Sequence, residues 1–499
     1  MLTRLKVTGF KNLVDVDLHF GPFTCIAGQN GVGKSNLFDA IQFLSALADR
    51  TFMDAAKSVR DESGRTGDIR ALFHRTGDRV GDRMRFEAEM IIQPTGADDL
   101  GQTASAGSTF LQYSIELGYR ANTNGPSGEA LELIHENLTY LPPVEWQKRL
   151  KFPRTDKWDE SALVYKNRKS PYISTQVDEG ERRVLLHREE ARTSGKTTKR
   201  PARQLPRTVL SATNAYESPT ALLVRREMQS WRLLQLEPSA LRKPDEFDAP
   251  SQLGWDGAHL PATLFRLAKA AERSDATGEG ASRVYGRLAA RLHELIDDIR
   301  TLRIDRDDKR ELLSLIATDR LGTALPARGL SDGTLRFLAL AVLEMDPEAV
   351  GVVCFEEPEN GIHPARIPAM LRLLKDIAVD PSLPVGPDNP LRQVIVNTHS
   401  PVVVKEVYEN DLVGAVTEEA VTSDGRARQI GFHSLQNTWR ATLDPPPQQL
   451  ALNALQAYLA PLRRRVDGRA TNSRRAGGKA RRVCEREDVR SLFDGLADA

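Results

Sequence analysis

The stretch Gly28-Gln29-Asn30-Gly31-Val32-Gly33-Lys34-Ser35 constrains this chain more than any other. It fits G-x-x-x-x-G-K-S and stands between an apolar run and a helical pattern. The run, Phe23-Thr24-Cys25-Ile26-Ala27, reads as a strand, and the pattern carries Leu37, Phe38, Ile41, Leu44 and Leu47 on one face. Strand, glycine turn and helix in that order make a phosphate loop and call for an α/β fold. The glycines let backbone N–H groups converge on phosphate, Lys34 can reach the β- and γ-phosphates, and the Ser35 hydroxyl can ligate Mg²⁺. A helix beginning near Ser35 adds its positive end. Asn30, Gly31, Gly33 and Asn36 complete the cradle expected to hold a nucleoside triphosphate.

With 499 residues, 40% of them hydrophobic, the chain can bury a large core and divide into two or three lobes. Lys+Arg 69 against Asp+Glu 68 leaves a net charge of +1, so no global field draws it to nucleic acid or a membrane, and any such preference must be local. Cys25, Cys354 and Cys484 cannot form a disulfide framework, which points to a reducing cytosol. Met1 to Val7 alternates polar and apolar like a strand, unlike a signal peptide. No run approaches the ~20 apolar residues of a membrane span, and the expected location is cytoplasmic.

Four regions are expected. Residues 1–145 form an α/β lobe in which period-two strands at 83–92 and 113–119 build an antiparallel sheet, with loops at 94–108 and 121–127. Residues 146–325 hold a polar, basic surface segment (Arg182, Arg183, Arg188, Arg192, Lys196, Lys199, Arg200, Arg203, Arg207), then helical patterns at 221–236, 260–271 and 284–299, then one or two strands at 301–318. Within 326–440 a helix over 329–343, buried strands at 349–355 and 393–397 and a helix between them over 364–377 make a βαβ pattern, hence a parallel sheet. Residues 441–499 carry an amphipathic helix at 450–462 and a tail rich in arginine, from Arg463 to Arg482.

A phosphate loop alone binds; hydrolysis also needs metal ligands, a group that orients water and a sensor of the γ-phosphate. Val352-Val353-Cys354-Phe355-Glu356-Glu357 is an apolar strand ending in two carboxylates, with Glu356 placed to hold Mg²⁺ and Glu357 to polarise the attacking water. Leu330-Ser331-Asp332-Gly333-Thr334-Leu335-Arg336 opens a helix whose Ser331 is a natural N-cap and whose Gly333 permits close backbone approach, an anion site in outline. Asn397-Thr398-His399-Ser400-Pro401 ends a buried strand, where ligands of open α/β sheets bind, and His399 can contact the γ-phosphate.

Taken in order, these motifs resemble the ABC-type ATPase heads of the RecF/SMC group. They are most similar to the compact bacterial AAA-family ATPases with an ABC-like domain, which are related to RecF and OLD proteins. Gly9-Phe10-Lys11-Asn12 precedes the first hairpin, residues 330–336 match the signature motif, 352–364 match Walker B with its D-loop, and Thr398-His399-Ser400-Pro401 matches the switch histidine. The resemblance implies an ABC-type P-loop head with a mostly parallel core sheet, an antiparallel β subdomain and a helical lobe. It implies ATP and Mg²⁺ as ligands, with Lys34 and Ser35 on phosphate and metal, Lys11 and Asn12 approaching the nucleotide, Glu357 as the base-like residue and His399 as sensor. Ser331 and Gly333 would act in trans, so that two chains sandwich ATP as a homodimer. Two departures mark the subfamily: Glu356 stands where the wider superfamily has Asp, and Ser331-Asp332-Gly333 replaces Ser-Gly-Gly. No glutamine is placed as the Q-loop residue; Gln112 is the candidate. The expected function is ATP hydrolysis coupled to DNA or to a nuclease partner encoded nearby, in DNA repair or anti-phage defence. No membrane partner is expected, and the chain after Pro401 lacks the carboxylate cluster of a Toprim nuclease.

Overall fold

The computed structural model describes residues 1–59, 68–121, 129–178, 180–189, 198–275, 277–293, 299–422, 425–450 and 482–483. Its centre is a six-stranded sheet in the order Arg232–Leu234, Gly351–Glu356, Arg392–Thr398, Phe23–Ala27, Leu412–Thr422, Gly425–Ser434. The first five strands are parallel and the last is antiparallel to its neighbour. Phe23–Ala27 and Arg392–Thr398 are buried throughout, as strands covered on both faces must be.

Alternate residues of these strands feed two different cores. Ile26, Val352, Cys354 and Ile395 face the helix Lys34–Leu47 and the antiparallel sheet. Phe23, Cys25, Val353, Phe355, Val394 and Val396 face the helices Asp332–Met345 and Ile367–Ile377. This two-sided burial is what keeps the loops at the strand ends in register.

The second sheet has eight antiparallel strands, in the order Thr198–Pro201, Glu181–Leu186, Ile173–Asp178, Glu129–Tyr140, Phe110–Ala121, Arg83–Ile91, Leu2–Phe10, Leu13–His19. It is clamped to the helix Lys34–Leu47 by Phe10, Phe43 and Phe86, whose ring centroids lie 5.4–5.9 Å apart. A third sheet, Asp245–Glu246, Leu312–Asp319 and Ile299–Asp307, lies beside the helices Leu260–Ser274 and Gly280–His293. Among the described residues no helix is long and apolar enough to cross a membrane.

Several local expectations need correction. The basic segment around 173–201 is not merely a surface coil: three of its pieces extend the antiparallel sheet, because Ile173, Val184, Leu185 and Leu186 give it a buried face that the surrounding arginines mask. The helical pattern of 221–236 stops at Gln229, and Arg232–Leu234 becomes the edge strand of the core sheet. The stretch 94–108, read as loop, contains the small hairpin Thr95–Ala97 with Thr103–Ser105. Arg192, Lys196, Cys484, all but the first residue of the loop expected at 121–127 and nearly all of the helix and tail expected after 450 lie outside the described residues.

Candidate nucleotide site

The carboxyl ends of the parallel strands open on one cleft of about 510 Å³. Asn30, Gly31, Gly33, Lys34 and Ser35 line one side, and Gln235, Glu356, Glu357 and Asn397 line the other. The loop shape depends on glycine at two positions with left-handed backbone, Gly31 at φ 80° and Gly33 at φ 100°. A Cβ on Gly33 would lie 1.9 Å from Asn12 Nδ2. Gly33 also caps the helix Lys34–Leu47 without any side-chain hydrogen bond, so the first-turn N–H groups keep their capacity for an anion.

Lys34 is buried, and its Nζ donates to the carbonyls of Gly28 at 2.5 Å and Gln29 at 2.9 Å. Burial pushes its pKa down, while the carboxylates of Glu357, Glu359 and Glu356 pull the other way. The ammonium thus rests on loop carbonyls, poised for exchange onto a stronger acceptor. Phosphate oxygens are such acceptors.

Opposite the loop, the strand Gly351–Glu356 delivers Glu356 and Glu357 to the cleft. Gln235 Nε2 donates to Glu356 Oε2 at 3.0 Å. Glu357 sits at φ 44°, an uncommon conformation for a residue with a side chain, and its N–H is held by both the main-chain oxygen and Oδ1 of Asn397 at 3.1 Å. That bend turns the Glu357 carboxylate onto His399, whose Nδ1 donates to Oε1 at 2.5 Å, and onto Asn360, whose Nδ2 donates to Oε2 at 3.0 Å. Beneath them Thr398 Oγ1 donates to Glu359, and burial pushes the Glu359 pKa up. Asn397 thus holds the Glu357 main chain and donates from Nδ2 to Glu356 Oε1 at 3.4 Å, a role that the sequence, where it is a neighbour of His399, does not signal.

The helix Asp332–Met345 begins outside this cleft. Ser331 Oγ accepts the Thr334 N–H at 3.2 Å, and both Ser331 and Asp332 are exposed. A Cβ on Gly333 would lie 2.8 Å from the Gly361 carbonyl, so the glycine lets this helix press against the turn that follows Glu357. Arg336 bridges the two, donating to the carbonyls of Leu236 and Asn360. A hydroxyl from the loop and carboxylates from the facing strand form an oxygen-donor set for Mg²⁺, beside a helix start whose uncapped N–H groups suit a triphosphate.

The sequence of both halves of this cleft matches the family described as AAA domain, putative AbiEii toxin, Type IV TA system, over residues 23–94 and 131–405. The chain belongs to this family. Curated relatives of this AAA-domain chain include a DNA replication and repair protein RecF from Phocaeicola vulgatus, 38% identical over 63 residues, or 12% of this chain and 17% of the relative. An OLD nuclease from Thermus scotoductus is 48% identical over 44 residues, or 9% of this chain and 8% of the relative. The chain therefore spans less than a fifth of the length of either relative. Among solved structures, an SMC head bound to the C-terminal winged-helix domain of ScpA is 13% identical, covers 87% of this chain and 98% of its own, and has a TM-score of 0.46.

Three expectations for this AAA-domain chain shift. Lys11 does not line the cleft: its ammonium pairs with Asp39 on the loop helix at 2.6 Å. Asn12 also stands behind the loop, donating to the Val32 carbonyl at 3.0 Å and accepting from Asn36 Nδ2 at 2.7 Å. Both residues, with Asn36, brace the loop from behind. Gln112 lies in the antiparallel sheet, where its Nε2 donates to Glu87 at 3.3 Å, whereas the glutamine in the cleft is Gln235. Its signal was present: the apolar pair Leu233-Leu234 ends in the polar Gln235, as the apolar run Val352 to Phe355 ends in Glu356. A strand of three residues is too short for periodicity to reveal.

Proposed function

We propose that this AAA-domain chain binds ATP with Mg²⁺ and hydrolyses it in a homodimer whose two sites are shared between the chains. One observation carries the reading: Lys34, Ser35, Glu356 and Glu357 line one cleft, with His399 bonded to Glu357, while the helix end at Ser331 and Asp332 stands exposed outside it. Lys34 would exchange its two carbonyl acceptors for phosphate oxygens, and Ser35 and Glu356 would hold the metal. Bound Mg²⁺ would neutralise charge on the phosphate oxygens. Glu357, fixed by Asn397, Asn360 and His399, would orient and polarise the attacking water, and His399 would stabilise the carboxylate and read the γ-phosphate. Gln235 would report metal occupancy through its bond to Glu356. Ser331 and Gly333 would complete the site of a second copy.

The match to RecF and OLD proteins, one named for DNA replication and repair and one for nuclease activity, supports coupling to DNA or to a nuclease partner, with a cytoplasmic role in repair or anti-phage defence. Arg182, Lys199 and Arg200, on strands at the free edge of the antiparallel sheet, supply a basic margin for such contact. The deciding test is phosphate release by Glu357→Gln. Loss of the base is expected to lower turnover by about 10²- to 10⁴-fold while ATP binding persists. Equal turnover in both proteins would overturn the assignment.

A further inference from the structure

A second cleft, of about 580 Å³, opens at the outer edge of the core sheet. Its base is the edge strand at Trp231 to Leu233, and Arg50, Arg225 and Arg226 line it, with Asp49 and Asp99 as the only acids among the described residues. The cations are poorly neutralised. Arg225 and Arg226 share the single Asp99 carboxylate, at 3.1 and 2.7 Å, and that side chain is 60% exposed, so water weakens both pairs. Arg225 Nε is buried with no acceptor. Asp49 is engaged by Gln229 Nε2 at 3.1 Å.

Arg232 meets the cleft through the edge strand itself: it pairs with Val353, so its side chain lies on the opposite face of the sheet, toward Asp346. At the cleft stands Trp255, an indole 63% exposed. Large aromatic surface left in water next to two arginines that share one exposed carboxylate is the chemistry that takes a base on the ring and its phosphate on the guanidinium groups.

We propose that this cleft is a second binding site, distinct from the phosphate loop, for a base-plus-phosphate unit, supplied by single-stranded nucleic acid or by a free nucleotide. Trp255 stacks the base, and Arg225 and Arg226 take the phosphate, displacing Asp99. The site also has a route to the ATP cleft. Arg232 begins the strand whose next residue after Leu234 is Gln235, the donor to Glu356, and Gln235 N–H itself donates to the Trp255 carbonyl at 2.8 Å. A ligand that fixes Trp255 therefore acts directly on the segment carrying Gln235. The inference deepens the reading that the chain works on nucleic acid, and its test separates the two.

The test uses the full-length protein, a fluorescent 20-nucleotide oligothymidylate followed by anisotropy, and thymidine monophosphate followed by competition and by tryptophan fluorescence. Trp255→Ala and Arg226→Gln alter exposed positions, and Trp255→Phe restores an aromatic face. The expected result is binding that weakens with salt, a loss of tenfold or more in Trp255→Ala and Arg226→Gln, and recovery in Trp255→Phe. Competition by the monophosphate at concentrations similar to the strand assigns a free nucleotide as the source; competition only in large excess assigns the strand. Unchanged affinity in Trp255→Ala and Arg226→Gln would overturn this site while leaving nucleic-acid coupling in place, and absence of binding to either probe by the wild type would overturn the site outright.

Discussion

Glu136 should give this fold a pH dependence that a single amide substitution removes. The residue is fully buried on the strand Glu129–Tyr140, where its carboxylate accepts the N–H groups of Val209 at 2.8 Å and Leu210 at 2.9 Å and the Tyr113 hydroxyl at 3.2 Å. Burial pushes its pKa up from 4.5 to about 7, against the pull of those donors. A folded-state pKa above the unfolded value means that the native state holds the proton more tightly. The resulting stabilisation is complete below the unfolded pKa and is lost as pH rises from about 4.5 through about 7. At about 1.4 kcal/mol per pH unit, the native state loses roughly 3 kcal/mol across that window. Glu136→Gln removes the titration but turns one acceptor into a donor facing a backbone N–H, a pH-independent cost of about 1–3 kcal/mol. Urea unfolding followed by circular dichroism at pH 5, 6, 7 and 8.5 should find the variant less stable at pH 5 and equal or more stable at pH 8.5. A stability difference that stays constant from pH 5 to 8.5 would refute the assignment of a buried, late-ionising carboxylate.

Glu359, buried with one carboxylate oxygen unpartnered and its pKa raised by burial, follows the same sign. Glu359→Gln should raise the melting temperature more at pH 8 than at pH 5, and an equal change at both would count against a buried acid there. Lys11→Ala takes the ammonium from Asp39, a carboxylate with a side chain only 2% exposed, and should cost about 3–5 kcal/mol in urea unfolding. A loss below about 1 kcal/mol would mean that the pair is solvated, as surface pairs are.

Much of the fold could be read because its signals are local. The apolar runs Phe23–Ala27 and Val352–Phe355 need no tertiary knowledge to be recognised as buried strands, and the helix that links Gly351–Glu356 to Arg392–Thr398 makes their pairing parallel. Lys34, Ser35, Glu356 and Glu357 line the cleft because each directly follows such a strand or begins the helix behind it. Less legible were residues whose place depends on partners far away in the chain. Lys11 carries a cation suited to phosphate, but Asp39 on the facing helix claims it. Gln235 is delivered by a three-residue strand that exists only because Gly351–Glu356 offers an edge. The strands between Ile173 and Pro201 were hidden by exposed arginines and lysines on an edge, where charge discourages pairing with another chain.

The central proposition is that the phosphate loop of one chain works with Ser331 and Gly333 of another. Lys34→Ala disables the loop, and Ser331→Arg blocks the exposed helix end, so each protein alone should release little phosphate from ATP. Mixed in equal amounts, shared sites would leave one intact site in every mixed dimer, and turnover should recover to about a quarter of the wild-type value. No recovery on mixing the two folded variants, in a mixture where ATP does form mixed dimers, would show that loop and helix end do not act across chains.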